Sequence, residues 1–340
     1  MSPPAKVVVV GSVMQDLTFA CAEFPTGGQT VMARLSVGQG GKGSNQAIAS
    51  GRTGVPTVFV GAMGDDAFTR QVRAFYRREK IGCRIAVKRQ QATGTAVILI
   101  NRDGQNEIVI EPGANARLAS ADVPPAVLRG AAVVVTQFES NLATTAHVLR
   151  TARRAQLTTI LNPAPMRADF DPALLAHVDI LIPNESEFVA LVRRLTRLRR
   201  REFDEAALHT LSRDELHALC REFGVPTLIV TLGRKGCFIS EPHGHLFIPA
   251  HRGIRVVDTT GAGDAFCGGF AAGLVRHGGD IAAAARLGTA VAALSIMKPG
   301  TASAMPTQSE LRRFLRNGAA RSGQARHRER GLTPAQAAAK

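Results

Sequence analysis

The sequence contains no tryptophan, and aromatic residues make up only 5% of it. Its basic segments therefore lack the interleaved rings that mark many nucleic-acid binders. Cysteine is scarce and unpatterned: Cys21, Cys83, Cys220, Cys237 and Cys267 are scattered, odd in number, and include no CxxC pair. This argues against a disulfide framework and predicts free thiols in a reducing cytoplasm. No apolar run reaches the roughly 18–20 residues of a membrane helix, because Arg286 interrupts the best Ala-rich stretch. The segment Met1 to Val10 carries one Lys and a short apolar run ending at Gly11. It reads as a first strand and not as a secretory signal.

Acidic residues are outnumbered, 27 against 42 Lys and Arg, giving a net charge of +15. The excess is localised. Six Arg and no acid occupy 193–201, and 311–340 carries a net +7, which leaves +2 for the remainder. The first run alternates Arg with Leu191, Leu195 and Leu198 and reads as an exposed amphipathic helix. The stretch from Asn317 onward has few bulky apolar residues and is expected to be a basic, disordered tail. A solvated face and a frayed end account for this charge without nucleic acid, since no nucleic-acid motif accompanies it.

What is abundant is globular material: 45% of the 340 residues are hydrophobic, enough for a large core. Strand-like runs at 6–10, 133–135, 159–161, 180–182 and 228–230 alternate with helical stretches at 43–51, 66–80, 141–154, 184–200 and 212–222. This rhythm predicts an α/β fold with a doubly wound, mostly parallel sheet flanked by helices. Two stretches, 16–37 and 83–111, instead alternate as amphipathic strands and predict a small antiparallel β lid. A hairpin is expected over 236–249, with His243 and His245 as solvated turn residues, and helices over 261–276 and 280–297. One domain thus spans 1–316, with the tail over 317–340.

Two Gly-rich segments bear on chemistry. In Gly38 to Asn45, the spacing Gly38-x-Gly40-x-x-Gly43 matches a dinucleotide fingerprint, with Asp65 about twenty residues on. The fingerprint belongs after the first strand, however, and that strand ends at Gly11. The segment instead offers bare backbone beside Lys42 and Asn45, which suits a polyhydroxylated ligand. In Val256 to Phe270, Gly261, Ala262 and Gly263 open an apolar helix, where free N–H groups and the helix dipole favour an anion. Asp264 follows in the first turn. A carboxylate facing a bound phosphate makes sense as the acceptor of a proton from an attacking hydroxyl; it also suits a plain helix N-terminus.

Asp258 can cap the loop or bind a cation. Asn184 and Glu187 share a helix face at i and i+3, either as a metal's water-shell ligands or as an N-cap and capping-box pair. Glu139 ends a strand where α/β folds place ligand groups.

In chain order, the segments GSVMQD (11–16), GGKGSNQA (40–47), TQFES (136–140), LNPAP (161–165), PNESE (183–187), TLGRKG (231–236), DTTGAGD (258–264) and KPGTASAMP (298–306) resemble the ribokinase-like carbohydrate kinases. The resemblance implies an ATP-dependent kinase that converts D-ribose to D-ribose 5-phosphate. Deoxyribose, fructose, a phosphosugar or a nucleoside is the alternative acceptor. It makes Asp264 the catalytic base, with Gly261, Ala262, Gly263 and the Asp264 N–H as the anion hole. Met14, Asp16, Gly41, Lys42, Gly43, Asn45 and Glu139 would hold the sugar.

Asn184, Thr231, Leu232, Gly233, Arg234, Lys235, Gly236, Gly263, Asp264 and Thr289 would face ATP. Asn184 and Glu187 would position Mg2+. Asp258, Thr260, Ser295, Lys298, Gly300 and Ala304 would form a K+ site. The resemblance further implies a cytoplasmic homodimer paired through the lid, without membrane or nucleic-acid partners. The rival readings are a dinucleotide-dependent oxidoreductase through Gly40 and a sugar-responsive nucleic-acid binder through the Arg segments. Neither accounts for DTTGAGD.

Overall fold

The computed structural model describes residues 5–195 and 203–317. The chain opens with β1 (Lys6–Val10), leaves the main sheet for β2 (Met14–Cys21) and β3 (Ala33–Gly40), and returns through α1 (Lys42–Arg52) to β4 (Thr57–Gly64). Next come α2 (Ala67–Arg78) and β5 (Gly82–Lys88), then a second excursion through β6 (Thr95–Ile100) and β7 (Asn106–Glu111). After α3 (Pro125–Leu128) the alternation resumes with β8 (Ala131–Gln137), α4 (Leu142–Arg154), β9 (Thr158–Asn162) and β10 (Ile180–Leu181). The helices α5 (Glu185–Leu195), α6 (Glu205–Thr210) and α7 (Arg213–Arg221) lead to β11 (Thr227–Thr231). The hairpin β12 (Gly236–Glu241) and β13 (Gly244–Pro249) precedes α8 (Ala262–Arg276) and α9 (Ile281–Ser295), and a further helix runs over 308–317.

Nine strands form one sheet in the order β13-β12-β11-β10-β9-β8-β1-β4-β5, antiparallel only at the β11-β12-β13 edge. The alternation of β1 shows why the sheet is covered twice. Val7 and Val9 join a cluster with Phe59, Phe270 and Val291, whereas Val8 and Val10 join one with Val60, Val134 and Val148. A strand buried on both faces needs helices on both faces, and α1, α2, α8 and α9 pack one side while α4, α5 and α7 pack the other.

The lid is a separate four-stranded sheet, β3-β2-β6-β7, whose central β2/β6 pair is parallel and whose outer pairs are antiparallel. It occupies less of the chain than the alternation suggests. Segment 83–88, expected in the lid, is β5 and pairs with β4 at the edge of the main sheet. An edge strand with one solvated face shows the same period-2 pattern as a lid strand, so alternation alone does not assign its partner.

Within the first basic run, Arg193 donates to the Phe203 carbonyl at 2.7 Å, and Arg194 donates to the Ala168 and Phe170 carbonyls and stacks on the Phe170 ring. These two cations fasten α5 to neighbouring loops. The rest of the run at 196–202 and the tail from 318 lie outside the described residues. His245 is not simply solvated: its Nε2 meets Asp214 Oδ1 at 2.9 Å, and its ring packs against Phe238 and His217.

Candidate active site

The C-terminal ends of β1, β8, β9, β10 and β11 converge on one end of the sheet, where open α/β folds bind ligands. Two helices point their N-termini at the same place. α1 begins after Gly41 (φ 87°) and α8 after Gly261 (φ 77°), positive backbone angles that glycine adopts without strain. The helices pack closely because Gly268 has no side chain: a Cβ there would lie 2.3 Å from the Gln46 carbonyl oxygen. This contact brings the polar face of α1 against the first turn of α8.

Asp264, 6% exposed, receives two amides there. Asn45 Nδ2 donates to its Oδ2 at 3.0 Å, and Gln46 Nε2 donates to its Oδ1 at 3.0 Å. The Ala262 N–H bonds to the Thr259 carbonyl at 3.2 Å. By the geometry of a helix start, the N–H groups of Gly263 and Asp264 have no helical acceptor and are left for an anion. A cavity of about 150 Å³ lies in front of them, lined by Lys42, Asn162, Asn184, Glu187, Thr231, Thr259, Cys267 and 261–264. Its size fits a phosphoryl group and its immediate partners.

The electrostatics of this space are those of a charged ligand site. Burial opposes the Lys42 charge, but the carboxylates of Asp264, Glu139 and Glu187 outweigh it and hold the ammonium above the ordinary lysine value. Enclosure pushes the Glu139 carboxyl up, against the pull of Lys42. Glu139 Oε2 accepts from Ser12 Oγ at 2.6 Å and from the Lys42 N–H at 2.8 Å, which anchors the start of α1 to the end of β8. Burial also raises the Glu187 carboxyl, and it lifts the Cys267 thiol well above its ordinary value.

Asn184 and Glu187 make the capping arrangement in full. Glu187 Oε2 accepts from the Asn184 N–H at 2.9 Å, and Asn184 Oδ1 accepts from the Glu187 N–H at 2.8 Å. Both residues also line the cavity, so the helix cap and the cavity wall are one device. Glu187 is buried, and its oxygens keep lone pairs beyond those used by Asn184, which suits a hydrated divalent cation better than direct ligation. Among the described residues, no cluster of three or more His, Cys, Asp and Glu side chains stands ready to grip a metal directly.

Met14 and Asp16 sit at the root of the lid and do not line this cavity. Met14 is buried against Ala96 and Ile98. Burial pushes the Asp16 carboxyl up to about 6, helped by the charges of Glu139 and Asp264 and opposed by a hydrogen bond from Thr301. Within the 231–236 turn only Thr231 reaches the cavity wall. Arg234 is exposed, and Lys235 Nζ meets His209 Nδ1 at 2.9 Å.

Thr289 lies on α9 and lines a second, more apolar cavity of about 860 Å³ with Phe247, Pro249, Ala250, His251 and Phe314. The Ala250 N–H donates to the Lys235 carbonyl at 3.1 Å, which ties that cavity to the 231–236 turn. Asp258 bridges two of the segments expected to surround a cation, accepting from the Thr260 N–H and from the Gly300 N–H, each at 2.9 Å. Lys298 commits its ammonium to Glu310 at 2.6 Å, so only its backbone remains for a cation.

Sequence reasoning did not single out Ser12, Gln46, Gln137, Asn162 or Thr301. All five lie inside the motif segments quoted above, which was the one available signal.

A family model described as pfkB family carbohydrate kinase matches residues 4–308, and the chain belongs to that family. Relatives narrow the class. A ribokinase of Mus musculus is 33% identical over 318 residues, covering 90% of this chain and 94% of the relative. A deoxyribokinase of Salmonella typhi is 30% identical over 323 residues, covering 91% and 98%. Among solved structures, a ribokinase from Giardia lamblia aligns with a TM-score of 0.83 at 31% identity, over 93% of this chain and 99% of that one. Arabidopsis thaliana ribokinase complexed with ribose and ATP aligns at 0.78 with 30% identity, over 92% and 99%.

Proposed function

We propose that this chain transfers the γ-phosphoryl group of ATP to the O5 hydroxyl of D-ribose, giving D-ribose 5-phosphate and ADP. The observation that carries this reading is Asp264: a buried carboxylate in the first turn of α8, next to N–H groups without helical acceptors and fixed at both oxygens by α1. In transfer, the O5–P bond forms, the bond from the γ-phosphorus to the β-bridging oxygen breaks, and the O5 proton passes to Asp264. Because the transition state is loose, alignment and charge neutralisation supply most of the rate.

Asp16, Glu139, Lys42 and Asn45, with the backbone of Gly41 and Gly43 and the side chain of Met14, hold the sugar. Asn184, the 231–236 turn and the Thr289 cavity take the nucleotide. Asn184 and Glu187 hold the water shell of Mg2+. Asp258, Thr260, Ser295, Gly300, Ala304 and the Lys298 backbone surround K+. When bound, these ions neutralise phosphate charge and stiffen the phosphate loop. The outer lid strands leave Val37 and Val109 exposed at 55% and 70%, and Met32, just before β3, is 92% exposed, which supports lid-to-lid pairing of two copies. The free cysteines suit a reducing cytoplasm.

An ADP-release assay over ribose, 2-deoxyribose, fructose, a phosphosugar and a nucleoside, with and without K+, tests the reading. Ribose is expected to give the highest kcat/KM. Asp264→Asn should lower kcat by roughly 10³-fold or more while ATP still binds. Absence of sugar-dependent ADP release, or an active Asp264→Asn variant, overturns it.

A further inference from the structure

A chain of side-chain amides backs Asp264, and Asn162 at its far end also borders the cavity. Gln46 and Gln137 are fully buried, and Asn162 is 8% exposed. Asn162 Nδ2 donates to the Ile182 carbonyl at 2.9 Å, which turns its Oδ1 toward α1. Gln46 Nε2 donates to that Oδ1 at 3.1 Å and to Asp264 Oδ1 at 3.0 Å. Gln46 Oε1 accepts from Gln137 Nε2 at 2.6 Å. Each link fixes the next. With two acceptors on one side and a donor on the other, the Gln46 amide has a single satisfied orientation.

We propose that Gln46 is a positioning residue that presents a donor to Asp264 Oδ1 and so reserves Oδ2 for the proton taken from the sugar. A proton on Oδ1 would face an N–H, leaving two donors opposed and unsatisfied in a buried place. Oδ2 accepts from Asn45 Nδ2 at 3.0 Å, but that amide is not locked: its own Oδ1 is buried without a partner, so it can turn over and offer that oxygen to a protonated Oδ2, as the Gln46 amide cannot. Gln137 acts one step back by locking the Gln46 carbonyl. The inference rests on the reading of Asp264 as the base and adds to it which oxygen acts and what aims it. The charged and titratable groups facing Asp264 are Lys42 at the start of α1, Glu139 after β8, Glu187 on α5, Asp16 on β2, and Cys267 on α8 itself.

The test uses the full chain and steady-state kinetics across pH 5.5–9. Gln46→Glu keeps the shape but sets a second carboxyl against Oδ1, so the two must share a proton. Expected are a fall in kcat of roughly 10²-fold near neutrality, an acid limb of the kcat profile moved about one unit or more upward, and a sugar KM nearly unchanged. Gln46→Leu should lower kcat without restoring or moving that limb. If Gln46→Glu does not fold, Gln137→Met is read in its place: a fall of roughly three- to tenfold in kcat with both KM values unchanged is expected. A wild-type kcat and pH profile in Gln46→Glu, or a wild-type kcat in Gln137→Met, overturns the proposal. Activity surviving in Asp264→Asn refutes instead the reading of the base, so the two failures are distinct.

Discussion

The hydroxyl of Thr301 donates to Oδ2 of Asp16 at 3.0 Å, joining residues 285 positions apart. It also lies 3.1 Å from the Gln39 carbonyl, at the other root of the lid. The loop that carries Thr301 also gives the Gly300 N–H to Asp258. One short segment therefore touches the lid root and the neighbourhood of the phosphate loop together.

Asp16 makes this contact measurable. With its carboxyl at about 6, it is ionised above that pH and protonated below it. Ribose affinity should therefore fall as pH drops through 6, because a protonated acid accepts fewer sugar hydroxyls. Thr301→Val removes the bond that holds the carboxyl down, so calorimetric binding curves should show the midpoint at higher pH.

The stability sign is the reverse of the usual acid. The folded state holds its proton up to about 6, the unfolded state only to the ordinary aspartate value of 3.8. Asp16 thus contributes nothing below 3.8, destabilises increasingly up to 6, and costs a constant amount above. Asp16→Asn should raise the stability of the ligand-free protein at pH 7 by up to about 3 kcal/mol, read from denaturant melts, while weakening ribose binding.

Gly268 tests the seat of the proposed base, Asp264. A methyl group there would press on the Gln46 carbonyl oxygen and on Ala49 Cβ, 2.3 and 2.7 Å away. Gly268→Ala should cost about 1–3 kcal/mol in stability. It should also lower kcat, since α1 must shift and carries Asn45 and Gln46 with it. A variant with wild-type melting and turnover would mean that the helix contact is not tight.

Arg52 fastens the loop after α9. It makes a two-pronged bond to Glu79 at 2.8 and 2.9 Å, and its Nη1 donates to the Met305 carbonyl at 2.7 Å. The guanidinium holds the Glu79 carboxyl below its ordinary value. Arg52→Lys keeps the charge but loses the fork, and should destabilise the fold by about 1–2 kcal/mol. The deficit should shrink as pH falls low enough to protonate Glu79 in the folded protein.

Val109 addresses assembly. It stands 70% exposed on β7, whose neighbours Ile108 and Ile110 are also exposed. Val109→Glu should convert a lid-paired dimer to monomer in light-scattering measurements. An unchanged mass would exclude pairing through this strand.

Much of the site was legible because helix starts and strand ends are local. Gly261 to Asp264 declare by composition a helix start with free N–H groups, and the valines of β1 declare a doubly covered strand. The partners of these elements are less local. Gln46 and Asp264 are 218 positions apart, and no periodicity in α1 says that its glutamine meets the first turn of α8. Strand 83–88 shows the limit from another side, since its pattern is the same whether it joins the lid or the sheet. Asn184 and Glu187 show a third case: the capping pair is formed in full, and the same two side chains also border the cavity, so the cap does not decide against a binding role.

The lid grows from strands that carry several of the residues proposed to hold the sugar: Met14 and Asp16 open β2, and Gly40 closes β3 just before Lys42. The residues proposed to face the nucleotide all follow Pro183, although Lys42 shares their cavity. On that reading, much of the acceptor's pocket and most of the phosphate's lie in separable lengths of gene. A chimera exchanging residues 11–45 with those of a relative should inherit that relative's choice of acceptor and leave its demand for nucleotide untouched.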